Sequence, residues 1–316
     1  EKEATQNKRL ISDLVVITSN ISMTSKKDGP KVSVVMATFN EENYIQSSVD
    51  SILRQSYQNL ELIIIDDSST DNTLEILKKY DDPRVQLYLQ NRNKGLTKSL
   101  NKGLKFASGK YIARLDADDI ALPQRLEKQV EYLDNHLEVG MVGSYYGILN
   151  SRTGNLRYVL PPTDDSKLRD RLVKSGTPFR HSSVMIRKES LDAVGYYNED
   201  FRQGQDYELW VRIAREFELS NIPEFLCVAR KHRNSIVANR NWLRNQILQF
   251  QLRHFAVNNL SYSKFYHFYN VFKVMRNFVL SRIIKPLLPS GVVKYLKRFR
   301  SNFSKNDKKL TQEEKS

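Results

Sequence analysis

The stretch Tyr111-Ile112-Ala113-Arg114-Leu115-Asp116-Ala117-Asp118-Asp119 runs from strand-forming residues straight into three carboxylates within four positions. Acidic residues are poor strand formers and repel one another. A buried strand that ends this way needs positive charge at its tip. A divalent cation carrying a nucleotide diphosphate meets that need, because Mg²⁺ takes one or two carboxylates together with phosphate oxygens. The plainer reading is an acidic turn leading into the helix that starts near Pro123, since aspartate is common in turns. The flanking sequence decides between them.

Upstream, Val32-Ser33-Val34-Val35-Met36-Ala37 is a short apolar run of the kind that forms a buried parallel strand, and it stops at Thr38-Phe39-Asn40-Glu41-Glu42. A helix follows with Ile45, Val49, Ile52 and Leu53 on one face. Leu60 to Ile65 is a second strand, ending in Asp66-Asp67-Ser68-Ser69-Thr70-Asp71, where Asp71 is placed to cap the next helix. Val85 to Leu89 is a third. Its loop opens a helix over 96–107 that closes at Ser108-Gly109, with the glycine expected in a left-handed conformation. Tyr111 onward is the fourth strand. Pro123 suits the first turn of a helix bearing Leu126, Val130 and Leu133, and Val139 to Tyr145 is the fifth strand.

This alternation predicts an α/β fold: a mostly parallel sheet flanked by helices. Ligands of such sheets bind at the carboxyl ends of the strands. Thr38 to Glu41, Asp66-Asp67 and Asp116 to Asp119 all fall at those ends, so three polar clusters converge on one edge. No Gly-x-Gly-x-x-Gly follows the first strand, and no Gly-x-x-x-x-Gly-Lys-Ser/Thr occurs. Dinucleotide-dependent dehydrogenases and P-loop NTPases are thereby disfavoured, and a metal with side chains has to meet the diphosphate.

The 316 residues suit one large domain with extensions, or two domains, and their 40% hydrophobic content supports a sizeable core. Cys227 is the single cysteine, which excludes an internal disulfide or a cysteine-rich zinc site. The formal charge is +14, and most of it lies late: from Ser261 onward thirteen Lys and Arg stand against three acidic residues. No apolar run is long enough for a transmembrane helix, and Leu14 to Ile17 is too short for the core of a signal peptide. The first residue is Glu1 rather than Met, as in a processed or excised chain. Aromatic and aliphatic residues among Lys and Arg, in helices broken by Pro286 and Pro289, suit an element lying in the plane of an anionic membrane surface; a helical appendage packed on the body is the alternative.

In order along the chain, Val34-Val35-Met36-Ala37-Thr38-Phe39-Asn40-Glu41, Ile65-Asp66-Asp67-Ser68-Ser69-Thr70-Asp71, Asn93-Lys94-Gly95-Leu96, Leu115-Asp116-Ala117-Asp118-Asp119 and Gln205-Asp206-Tyr207-Glu208-Leu209-Trp210 resemble the motifs of family 2 glycosyltransferases, which have the glycosyltransferase-A (GT-A) fold. The resemblance spans about residues 31–235. It implies an inverting transfer from a nucleotide-diphospho-sugar, UDP-sugar first, to a glycan or lipid-linked saccharide, with Mn²⁺ or Mg²⁺ as cofactor. On the matching positions, Ala37, Thr38, Asn40 and Glu41 border the nucleoside, Asp67 with Asp66 meets the base, and Lys98 reaches base or phosphate. Asp116 lies on the ribose side, Asp118 binds the metal, and Asp119 is an unassigned third carboxylate. Asp206 is the general base, although Gln205 stands where the family usually has Glu, and capping of its helix is the competing role. Within Arg230-Lys231-His232-Arg233, His232 is the metal or phosphate contact; Arg180 and His181 are weaker candidates.

The expected organisation is a loosely ordered leader over 1–29, a GT-A catalytic domain over 30–240 with a nucleotide half to about 145 and an acceptor half beyond it, an amphipathic helical extension over 241–300, and a disordered tail over 301–316. The expected location is cytoplasmic, peripheral on the cytoplasmic face of a membrane. The rivals are a nucleotidyltransferase on a related sheet and a non-catalytic basic module binding nucleic acid or membrane. Nucleic acid is not expected as a partner, because the basic surplus lies in the tail and not on the body.

Overall fold

The computed structural model describes residues 28–201 and 203–232, the helix Trp242–Asn259, and positions 260, 262, 263, 266 and 272. Nearly all of the expected leader, Arg233, and almost all of the basic extension past 260 lie outside these residues. The first half alternates as its periodicity predicts: β1 (Val32–Thr38), α1 (Ile45–Leu53), β2 (Leu60–Asp66), α2 (Thr73–Leu77), β3 (Val85–Leu89), α3 (Leu96–Phe106) and β4 (Tyr111–Arg114). Every residue of β1 and β2 is buried, and apart from Ser33 and Glu61 both read as apolar runs up to their polar ends. β1 pairs in parallel with β2 on one side and β4 on the other, and β3 pairs with β2. The chain therefore changes direction across the sheet between β1 and β4, and the crevice at their carboxyl ends is the place where such sheets hold ligands.

Helices cover both faces. Ile45, Val49 and Ile52 of α1 join Val34, Met36, Leu62 and Ile64 in one core cluster. On the other face α3 comes in closely at Gly103, where a Cβ would lie 2.7 Å from Val35 Cγ1. Gly109 does not adopt the expected left-handed conformation. Its glycine is required by crowding instead: a Cβ there would sit 2.6 Å from the Ser33 amide nitrogen and 2.7 Å from the Lys31 carbonyl of the passing β1 backbone. At the amino-terminal edge of the same strands, Glu61 is buried and accepts hydrogen bonds from Lys31 Nζ at 2.7 Å, Ser33 Oγ at 2.5 Å, and Ser108 N and Oγ at 2.9 Å.

The second half comprises β5 (Ile120–Ala121), α4 (Arg125–Asn135), β6 (Val139–Asn150), β7 (Leu156–Val159), α5 (Asp165–Lys174), β8 (Met185–Arg187), α6 (Lys188–Val194), α7 (Gln205–Glu216), β9 (Glu218–Lys231) and α8 (Trp242–Asn259). The sheet runs β3-β2-β1-β4-β8-β6-β9-β5, with β7 on β6. It becomes mixed beyond β4: β8 is antiparallel to β4 and β6, and β9 is parallel to β6. In the segment after Pro178 the strand is only the three residues of β8, preceded by a 3₁₀ turn at His181–Ser183. That turn is needed because Arg180 and Ser182 bend away to reach the carboxylates after β4. β6 and β9 are both longer than their apolar runs, since each partners the other over most of its length. α8 packs beside α7, where a Cβ on Gly204 would meet Leu252 Cδ1 at 2.6 Å. Its burial does not sort by polarity, as Arg253 is buried and Ile247 is 49% exposed. Among the described residues no helix is long and apolar enough to cross a membrane.

Candidate active site

Three strand ends meet at the crevice. Thr38 pairs with Asp66 across β1 and β2, and the Asp67 amide then donates to the Thr38 carbonyl at 2.9 Å. Both turns carry backbone strain: Asn40 and Ser68 have φ of 57° and 66°, rare for side-chain-bearing residues. They are bound to each other, with Asn40 Oδ1 accepting from the Thr70 amide at 2.8 Å and Ser69 Oγ accepting from the Asn40 amide at 3.0 Å. Ala37 and Thr38 are buried, and among the described residues the Thr38 hydroxyl has no hydrogen-bond partner. A buried hydroxyl left unmatched next to a ligand crevice fits a polar ligand.

Asp66 accepts from the amide and hydroxyl of Ser69. Asp67 is buried and organises the loop after β3: Oδ1 accepts from Gln90 Nε2 at 2.7 Å and the Lys94 amide at 2.8 Å, while Oδ2 accepts from the Gly95 amide at 2.8 Å. One acceptor direction on Oδ2 remains. Lys98, on α3, is exposed.

The carboxylates after β4 divide into different environments. Asp116 receives Arg114 Nη2 at 2.6 Å and Ser182 Oγ at 2.9 Å. Burial opposes its ionisation, but Arg114 and Arg180 outweigh it and hold the carboxyl well below the usual carboxylate range. Asp119 is fully buried. Its Oδ2 accepts both Nη2 and Nε of Arg180, at 2.9 and 3.2 Å, and the Ser182 hydroxyl; its Oδ1 accepts the Arg230 amide at 2.8 Å. Burial, with Asp118 and Asp116 nearby, pushes Asp119 up to about 6 against the pull of Arg180. With both oxygens engaged, Asp119 is a tie between the β4 end, the 3₁₀ turn and β9.

Asp118 lies with Asp116 and Asp119 at this strand end, their ligand atoms within 4.8 Å of one another, and it also faces a second set of partners. Its carboxylate meets His232 Nε2 at 2.8 Å, and the ligand atoms of Glu41, Asp118 and His232 all lie within 4.8 Å of one another. Burial and then the charge of Asp118 push Glu41 up to about 8, opposed by His232. The hydrogen bond to Asp118 raises His232. Two carboxylates and an imidazole in one cluster are a donor set that a divalent first-row cation fits. Arg230 holds this corner together: it donates to the Asp118 carbonyl and to Ser47 Oγ, each at 2.9 Å, and lies over the Tyr44 ring at 5.2 Å. Tyr44 in turn packs on His232 with ring centroids 4.7 Å apart.

Asp206 lies in the first turn of α7, after Gly204 in the left-handed conformation, and the cap position itself makes no side-chain hydrogen bond. Burial, then the charge of Asp116, raises the Asp206 carboxyl against the backbone N–H groups of the helix start. His181 is not a cation here: burial, with Arg114 and Arg180 beside it, lowers it to about 3, and its ring bonds the Tyr197 hydroxyl at 2.7 Å.

The structure thus brings Glu41, Asp118 and His232 together, with Asp116 and Asp119 beside Asp118, sets Asp206 where it feels the charge of Asp116, and leaves Lys98 on an exposed helix face. Glu41 joins Asp118 and His232 rather than standing only with the nucleoside-side residues among which the motif alone groups it. Arg114, Ser182 and Arg230, which position the carboxylates, carry no local signal in the sequence; only the proximity of Arg230 to His232 hints at its place.

The chain is similar to known glycosyltransferases in sequence and in fold. The model of glycosyl transferase family 2 matches residues 33–195. The uncharacterized glycosyltransferase MJ1057 of Methanocaldococcus jannaschii is 32% identical over 282 residues, covering 87% of this chain and 95% of that protein. The UDP-Glc:alpha-D-GlcNAc-diphosphoundecaprenol beta-1,3-glucosyltransferase WfgD of Escherichia coli is 31% identical over 211 residues, 66% of this chain and 80% of that one. Among solved structures, the mannosyltransferase PcManGT of Pyrobaculum calidifontis, in complex with GDP-Man and Mn²⁺, superposes with a TM-score of 0.57 at 19% identity over 95% of this chain and 92% of that one. With a strand-end crevice of this architecture and relatives of this kind, the chain belongs to glycosyltransferase family 2 and has the GT-A fold.

Proposed function

We propose that the protein transfers a sugar from a nucleotide-diphospho-sugar, with UDP as the nucleotide, to a hydroxyl of a glycan or lipid-linked saccharide, with inversion at the anomeric carbon. One observation carries this reading: Glu41, Asp118 and His232 bring their ligand atoms within 4.8 Å of one another, with Asp116 and Asp119 beside Asp118. Mg²⁺ or Mn²⁺ bound there supplies Lewis-acid neutralisation of the charge that gathers on a departing nucleoside diphosphate. Asp118 is its principal ligand, with His232 and Glu41 completing the donor set. Asp116, kept ionised by Arg114, stands on the ribose side. The unmatched Thr38 hydroxyl, with Ala37 and Asn40, borders the nucleoside; the open acceptor direction of Asp67, supported by Asp66, meets the base; Lys98 closes over base or phosphate.

Asp206 takes the proton of the acceptor hydroxyl as that oxygen attacks. A carboxylate of ordinary strength is a weak base near neutrality, and the raised affinity of Asp206 for protons brings it closer to the working range. UDP is preferred because WfgD, above 30% identity, has a UDP-glucose donor and a diphosphoundecaprenol-linked acceptor; hexosyl and N-acetylhexosaminyl donors are the first to compare. The basic residues from Lys264 on would hold the enzyme at an anionic surface on the cytoplasmic face of a membrane, at about 1 kcal/mol per basic residue in contact.

The test is a thermal-shift screen of UDP, GDP and dTDP with and without Mn²⁺, followed by donor hydrolysis with a UDP-sugar panel. UDP is expected to stabilise only with Mn²⁺, and Asp118→Ala to abolish the response. Absence of any Mn²⁺-dependent response to every nucleoside diphosphate would overturn the reading.

A further inference from the structure

The crevice contains a buried cation that the carboxylates do not explain. Arg230 is 5% exposed, and among the described residues its guanidinium forms no ion pair: Nη1 donates to the Asp118 carbonyl and Nη2 to Ser47 Oγ, each at 2.9 Å. A guanidinium taken out of water has to recover its lost solvation elsewhere. Its further partner is the face of Tyr44, whose ring centroid lies 5.2 Å from Cζ, within the range of a cation–π contact. The same ring lies 4.7 Å from that of His232, tilted by 43°. Side chains two apart on a strand share a face. Arg230 and His232, the latter one residue past β9, therefore stand side by side, and one aromatic ring touches both.

Tyr44 is itself fixed relative to the carboxylates. The Glu41 carbonyl accepts the amides of Tyr44 and Ile45, both at 2.9 Å. One turn leading into α1 thus carries the Glu41 side chain at its start and the Tyr44 ring at its end. The Tyr44 carbonyl accepts Ser47 Oγ at 2.8 Å, and that hydroxyl is the one that receives Arg230. Among the described residues the Tyr44 phenol makes no hydrogen bond, so the corner uses the ring and not the hydroxyl. His232 arrives from the far end of the chain, while Glu41 and Tyr44 come from a single turn near its start. An imidazole that binds a metal has to keep one orientation, and groups that fix such a ligand from behind commonly change metal affinity by about 10- to 100-fold. A ring tied to the Glu41 turn and backed by a guanidinium supplies that restraint.

We infer that Tyr44 is a positioning residue for the divalent cation: its ring, backed by Arg230, holds the His232 imidazole in the orientation that joins Glu41 and Asp118. The inference rests on the reading of that cluster as the metal site.

Titration of the full, nucleotide-free chain with Mn²⁺, followed by the electron paramagnetic resonance signal of the free ion, tests it. Tyr44→Leu is expected to weaken Mn²⁺ binding about tenfold, while Tyr44→Phe, which keeps the ring, stays within about twofold of the parent. In a His232→Ala background Tyr44→Leu is expected to weaken binding no further, because two residues acting through one ligand are not additive. Rescue by phenylalanine and this non-additivity are effects that mere loss of fold would not produce. Should the leucine variant fail to unfold cooperatively, Tyr44→Met carries the same expectation. A leucine variant within about twofold of the parent, a phenylalanine variant as weak as the leucine one, or the full loss repeated on top of His232→Ala overturns the inference. A parent that binds no Mn²⁺ refutes the metal reading and this inference with it. A parent that binds Mn²⁺ and is indifferent to Tyr44→Leu refutes the inference alone.

Discussion

Replacing Asp119 by alanine distinguishes a structural tie from a metal ligand. Asp119 is 0% exposed and is the carboxylate for Arg180, whose side chain is 30% exposed. Removing one partner of a buried ion pair costs about 3–5 kcal/mol, and water reaching Arg180 brings this to the lower end, about 3 kcal/mol. The Arg230 amide loses its acceptor at 2.8 Å, and an unsatisfied buried donor adds about 1–3 kcal/mol. The expected loss is therefore about 4–6 kcal/mol, a large part of the roughly 5–15 kcal/mol of a typical domain. At about 2–4 °C per kcal/mol for a body of this size, Tm falls by roughly 10 °C or more. Thermal and urea unfolding without metal or nucleotide measure it. An alanine variant that melts within about 2 °C of the parent would falsify the tie. A variant of unchanged Tm that loses Mn²⁺ affinity as Asp118→Ala does would make Asp119 a ligand instead.

Three further outcomes follow from the same geometry. Asp206→Asn is expected to retain UDP and Mn²⁺ binding while kcat drops about 100-fold or more and the acidic limb of the pH–rate profile flattens; a change in KM alone would contradict the base role. Mn²⁺ affinity should climb as pH rises toward about 8, because Glu41 must release its proton for the cluster to take a cation and His232 is also raised; Glu41→Gln should flatten that slope, and an affinity indifferent to pH between 6 and 8 would count against the cluster. Burial favours protonation of Glu61, but hydrogen bonds from Lys31, Ser33 and Ser108 prevail and hold it down to about 2. A depressed carboxylate contributes stability above its unfolded value and loses it as pH falls, so Glu61→Gln should cost about 3 kcal/mol at pH 7, with the gap to the parent closing between about pH 5 and 2 and nucleotide binding unaltered. A pH-independent gap in urea unfolding would refute this.

The first half of the fold was legible because its signals are local. β1 and β2 are buried on every residue, so their runs are apolar apart from Ser33 and Glu61, and each ends in polar residues where the ligand crevice opens. β5, of two residues, and β7, with polar positions 157 and 158, announce nothing by themselves; their existence depends on pairing with β9 and β6. The extent of β9 follows from its register on β6, a partner some eighty residues earlier. The same division holds in the site. Asp66, Asp67, Asp116 and Asp118 stand out because several carboxylates crowd one strand end. The cluster of Glu41, Asp118 and His232 is assembled from three distant segments, and no periodicity links them. The commitment of Asp119 to Arg180 and Ser182 depends on a 3₁₀ turn some sixty residues downstream, and no local pattern couples the two segments.

Asp67 grips the loop after β3 by the amide groups of residues 94 and 95 and by Gln90, not by any side chain between them. A loop addressed through its backbone tolerates exchange of what it displays. Arg92, Asn93 and Lys94 are exposed, and a combinatorial library at these three positions should keep parental melting temperatures while altering which nucleobase is accepted. Diversification of donor choice can then proceed without re-engineering the scaffold, provided Asp67 and Gly95 are left in place.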